Sequence, residues 1–82
     1  MLVKGEIISR PDLLPVQCKM ARAALGWSLD ELAVRAAVNR KTILYFERTE
    51  RTPRPDNLVA IRSAFEKAGV RFTDDGGVAP PS

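Results

Sequence analysis

The stretch that decides the fold runs from Ser28 to Glu47: Ser28-Leu-Asp-Glu-Leu-Ala-Val-Arg-Ala-Ala-Val-Asn-Arg-Lys-Thr-Ile-Leu-Tyr-Phe-Glu47. It reads as two short helices joined by a tight turn. Ser28 is placed to cap the first, because its hydroxyl can accept an orphan backbone N–H, and Glu31 three residues on completes a capping box. Leu32, Ala33 and Ala36 recur at helical spacing and make one apolar stripe. Asn39, just after the apolar Val38, is a second cap. Ile43 and Phe46 then bury one face of the second helix. Arg40, Lys41 and Thr42 give its N-terminal end a basic and polar surface. A helix with one buried face and such an end is suited to a DNA major groove.

Four groups of residues carry a wider likeness: Gly26-Trp27-Ser28, Glu31-Leu32-Ala33, Val38 with its cap Asn39, and Ile43 followed by Phe46-Glu47. With them the segment from about Pro15 to Gly69 resembles the helix-turn-helix domains of the phage repressor and Cro (Xre-like) family. The resemblance implies an all-α, compact four-helix, lambda-repressor-like domain. It also implies a homodimer on an operator with two related half-sites, about one helical turn or roughly 10 base pairs apart, or a multiple of that. In that family an Arg on the first helix pairs with a Glu at the end of the recognition helix, and Arg22 and Glu47 fall at the matching positions. The alternative for these two is a pair of solvated charges worth under about 1 kcal/mol. Three positions depart from the family pattern. Leu29 stands where Gln is common, Ala37 where the turn usually has Gly, and Leu44-Tyr45 are less polar than a DNA-facing surface suggests. A left-handed Ala37 would cost roughly 1 kcal/mol.

Eighty-two residues make one small domain with a limited core, of a size that often relies on oligomerisation. The net charge is +3. Between Asn39 and Arg54 the chain carries Arg40, Lys41, Arg48, Arg51 and Arg54 against Glu47 and Glu50, so this segment alone holds the whole net charge. That distribution points to an anionic partner. Cys18 is the single cysteine and there is no histidine. An intrachain disulfide is therefore excluded, a zinc site lacks ligands, and catalysis based on histidine has no base. Cys18 is expected in or beside the core. No cofactor is expected. With no long apolar run, a cytoplasmic protein is expected, away from the membrane.

The first helix is expected from Pro15, since Pro suits the first helical position, with an Asp12 cap one turn earlier as the alternative. Met20, Ala21, Ala24 and Leu25 mark its buried face, and Gly26 ends it. Trp27 is expected to plug the core between the first and second helices. The second helix spans about Ser28–Ala36 and the third about Arg40–Arg48. Thr49–Arg54 reads as a surface loop. A fourth helix starts at Pro55, buries Leu58, Ile61, Ala64 and Phe65, and ends at Gly69. Residues 1–12 form an N-terminal arm or strand, with a frayed terminus as the alternative. Residues 13–69 form the DNA-binding domain, and 70–82 a short strand with a loose tail. Val70–Phe72 cannot be stable as a lone strand, so it must pair with Leu2–Ile8, the short tail or another subunit.

Double-stranded DNA is thus the expected partner and sequence-specific transcriptional regulation, by a repressor, the expected function. Arg40 and Lys41 are expected at base edges, because both can donate to guanine O6 and N7. Thr42 and Tyr45 would add base contacts. Arg22, Ser28, Asn39, Arg48, Arg51 and Arg54 would hold phosphates. The alternative is an antitoxin or protein-interaction module on the same fold, with a protein partner, motivated by an exposed Leu44-Tyr45 pair and the apolar N-terminal arm. An enzyme is disfavoured: the carboxylate pairs Asp30/Glu31 and Asp74/Asp75 are sequence neighbours, and the chain leaves little room for a pocket.

Overall fold

Helix boundaries in this chain are set by local chemistry. The computed structural model describes residues 13–81, so the Met1–Ile8 arm, the turn after it and the Asp12 cap lie outside the described residues. Four helices follow one another: α1 (Pro15–Leu25), α2 (Leu29–Ala36), α3 (Arg40–Glu47) and α4 (Pro55–Lys67). Two short strands come after them, β1 (Arg71–Phe72) and β2 (Val78–Ala79). Helices α1 and α4 begin on Pro, whose missing N–H is an orphan there in any case. At α2 the Ser28 hydroxyl accepts from the Glu31 N–H at 3.0 Å, and at α3 Asn39 Oδ1 accepts from the Lys41 N–H at 2.8 Å. The other half of the expected capping box is replaced. The Glu31 carboxylate is held by Arg35 Nε at 2.5 Å, one turn further along α2.

All four helices end the same way. The residue past each last turn takes a left-handed conformation, at Gly26 (φ 70°), Ala37 (φ 56°), Thr49 (φ 57°) and Gly69 (φ 97°). Each gives its N–H to a carbonyl three residues back, and the next residue reaches five back, as Val38 does to Ala33 and Glu50 to Tyr45. This closes the orphan carbonyls of the last turn. Glycine does it without strain; Ala37 and Thr49 do it against their Cβ atoms.

Helix α2 packs on α3 and α4, and α1 packs on α3 and β2. Leu32, Ile43, Ile61 and Phe65 are fully buried at the centre. The buried face of α1 differs from expectation. It consists of Gln17, Cys18 and Ala21, while Met20 and Ala24 are exposed and Leu25 is half-buried. Hydropathy misplaces this stripe because a polar residue lies inside it. Gln17 is only 3% exposed and both ends of its amide are used. Its Oε1 accepts from the Leu14 N–H at 2.8 Å and its Nε2 donates to the Gly77 carbonyl at 3.0 Å. Trp27 also sits differently. Its ring stacks on Phe65 of α4 (centroids 5.6 Å apart, planes at 19°), with the Arg35 guanidinium of α2 at 4.5 Å from its centroid. It therefore fills space between α2 and α4 rather than between α1 and α2.

Of the partners open to Val70–Phe72, the chain uses its own tail. β1 and β2 pair antiparallel, Arg71 with Ala79 and Phe72 with Val78. The expectation of a loose tail from Val78 on is corrected at these two residues; Pro80 and Pro81, which lack a ladder N–H, come just after them. The Thr73 N–H donates to the Gly77 carbonyl at 3.1 Å, and the Gly77 N–H donates to Thr73 Oγ1 at 2.9 Å. The Asp75 carboxylate accepts from the Thr73 hydroxyl. Phe72 meets Phe65 edge-on at 6.0 Å, so the hairpin is fastened to the core. A Cβ on Gly69 would come within 3.1 Å of the Pro81 ring, which packs there.

Candidate nucleic-acid interface

Helix α3 is braced from behind by a polar cluster. Glu47, in its last turn, is 5% exposed. Its carboxylate takes Arg22 Nε and Nη2 from α1, each at 2.7 Å, in a two-pronged pair. Arg22 Nη1 donates to the Trp27 carbonyl at 3.0 Å, and the Cys18 thiol donates to Glu47 Oε2 at 3.1 Å. Burial raises the Glu47 carboxyl, but the hydrogen bonds from Arg22 and Cys18 outweigh it and hold the group below the usual carboxylate range. Burial, reinforced by the hydrogen bond to Glu47, pushes the Cys18 thiol well up, so it stays an S–H donor. The hydrogen bond to Glu47 likewise raises Arg22. The paired arrangement expected for Arg22 and Glu47 is thus present. Three of the five guanidinium N–H groups point inward, and a fifth of the Arg22 side chain remains exposed.

The outward face of α3 carries Arg40, Lys41, Thr42 and Tyr45, with Arg48 just past its last residue. The loop after the helix determines what stands beside them. The Tyr45 carbonyl accepts the N–H groups of both Glu50 (2.9 Å) and Arg51 (3.3 Å). This folds the loop back, and the Arg51 guanidinium comes to rest 5.9 Å from the Tyr45 ring centroid. Lys41, Thr42, Tyr45, Arg51, Thr52 and Pro53 then line one open cleft of about 130 Å³. The structure therefore brings together three residues expected at bases with one expected at phosphate. Thr52 joins them unannounced, its only sequence cue being its place in the loop after α3.

Arg40 is set apart from that cleft. Its Nε meets Asp30 Oδ1 of α2 at 2.8 Å, with both side chains more than half exposed. Arg48 pairs with Glu50 at 3.3 Å and Arg54 with Asp56 at 3.8 Å, all on the surface. Pairs of this kind add little to stability. The two caps keep donors: the Ser28 hydroxyl hydrogen and the Asn39 amide NH2 are not used in capping. Leu44 and Tyr45, expected as an exposed pair, are each half-buried, because Tyr45 lies under the returning loop.

A family model for helix-turn-helix domains, HTH_3, matches residues 19–69, which is α1 from its second turn through the end of α4. The chain belongs to this Xre/Cro-type helix-turn-helix family. Membership implies DNA binding, with DNA the partner of this class of domain. HTH_3 domains are generally non-enzymatic. A search of curated proteins finds no match. Among the described residues no helix is long and apolar enough to cross a membrane, and no cluster of three or more His, Cys, Asp or Glu is arranged to hold a metal.

Proposed function

We propose that this protein is a cytoplasmic, sequence-specific transcriptional regulator that represses by occupancy. A homodimer would place one α3 in the major groove at each of two half-sites. The observation that supports this reading best is the shared cleft on the outward side of α3, where Lys41, Thr42 and Tyr45 stand beside Arg51. Arg40 and Lys41 donate to guanine O6 and N7, and Thr42 and Tyr45 touch the neighbouring base edges. Arg51, Arg48 and Arg54 follow the backbone, with the Ser28 and Asn39 caps and the remaining Arg22 N–H groups fixing register on phosphates. The braced Arg22–Glu47 pair keeps α3 at a set depth relative to α1. Blocking polymerase needs no catalytic group.

The test is binding to duplexes that the protein selects from random DNA. Arg40→Ala is expected to lose about 1–3 kcal/mol and to relax discrimination at one base position. Arg51→Ala is expected to weaken all sequences alike and to lower the salt slope by about 1. If both variants bind the selected duplex as the parent does, the DNA face is misplaced.

A further inference from the structure

The Asp30–Arg40 pair is an odd feature for a DNA-reading surface. Asp30 lies in the first turn of α2, where its charge suits the helix dipole. It is also 78% exposed and lies beside the end of α3 expected to approach DNA, where a carboxylate repels phosphate. Its partner is the first residue of α3, and the contact runs from Asp30 Oδ1 to Arg40 Nε at 2.8 Å. The contact is a charge pair without a directed N–H hydrogen bond. A guanidinium is a planar fork of five N–H donors, so the edge with both Nη atoms is left to donate. That edge is the one that grips guanine O6 and N7, or two phosphate oxygens, with parallel bonds.

We infer that Asp30 is a specificity-determining positioning residue: its charge keeps the Arg40 guanidinium at the N-terminal end of α3, where the Nη edge meets a base edge, and the same charge penalises DNA on which that contact is not made. The inference rests on the reading of α3 as the DNA-reading helix. It accounts for an acidic side chain at this surface, since on the right sequence Arg40 offsets its repulsion while holding its contact to both groups. On other sequences the carboxylate opposes binding without return.

The experiment compares the parent, Asp30→Ala, Arg40→Ala and the double variant. Each is titrated against a duplex selected by the parent from random DNA and against an unselected random-sequence duplex, at several salt concentrations. Asp30→Ala is expected to bind the random duplex more tightly, because one negative charge is gone. Its preference for the selected duplex is expected to fall at least about fivefold, the lower end of what one two-pronged base contact provides. In the Arg40→Ala background the same change should still raise affinity for both duplexes but leave their ratio alone. Thermal midpoints within about 5 °C of the parent are expected for all, since the pair is exposed. An unchanged ratio in Asp30→Ala overturns the inference, and so does an equal fall in ratio with Arg40 absent. A parent that selects no sequence from random DNA overturns the DNA-reading assignment of α3, and this inference with it.

Discussion

Replacing Arg22 by Met probes the cluster that braces α3. Methionine keeps much of the apolar stem and removes the guanidinium. The Glu47 carboxylate, 5% exposed, would then lose two bonds of 2.7 Å and, among the described residues, keep only the Cys18 thiol as a hydrogen-bond donor, at 3.1 Å. The Trp27 carbonyl would lose its donor as well. Leaving one member of a buried ion pair uncompensated costs about 3–5 kcal/mol. Arg22 is itself a fifth exposed, so water reaches part of the site and the lower end, about 3 kcal/mol, applies. A domain of this size has about 4–12 kcal/mol in all, so the variant is expected to keep its fold but melt about 12–24 °C lower.

Urea and thermal unfolding at pH 7 measure this directly, and pH supplies a second axis. The folded Glu47 carboxyl lies below its ordinary value, so its contribution is present in full above that value, about 4.3, and is lost as pH falls through the folded one. In Arg22→Met the bare carboxyl protonates at higher pH and its burial cost disappears. The gap between parent and variant should therefore be widest near neutrality and narrow below about pH 4–5. The double variant Arg22→Met/Glu47→Leu should recover much of the loss, since an apolar pair of similar volume replaces a buried ion pair at little cost. A single variant within about 1 kcal/mol of the parent at pH 7, the range of an exposed pair, would refute the bracing role.

Ala37→Gly and Thr49→Gly should each stabilise the domain by about 0.5–1 kcal/mol, read from urea midpoints, because both residues hold a left-handed backbone against a Cβ. Gln17→Leu should cost about 1–3 kcal/mol despite its similar size, because it strands the Leu14 N–H and the Gly77 carbonyl. Hydrogen exchange should show the Thr73–Gly77 turn opening more often in that variant, with α3 protection altered less.

Caps, breaks and apolar periodicity act over one or two turns, so they are legible in one dimension. Ser28, Asn39, Pro15 and Pro55 mark where helices start, and Gly26 and Gly69 mark where two of them stop. The stripes at Leu32–Ala36, Ile43–Phe46 and Ile61–Phe65 are likewise visible in the residues alone, and they were enough to identify the helix pair and its basic end. Arg22 and Glu47 could be matched only through the family resemblance, because they are 25 residues apart. The tertiary structure alone decided the rest. Gln17 is inside because the hairpin brings a carbonyl to it from 60 residues away. Arg51 joins the α3 face because one carbonyl folds its loop back, and Arg40 meets Asp30 because α2 packs against α3. A polar side chain's burial and partners depend on what the fold carries to it, and no local pattern of hydropathy encodes that.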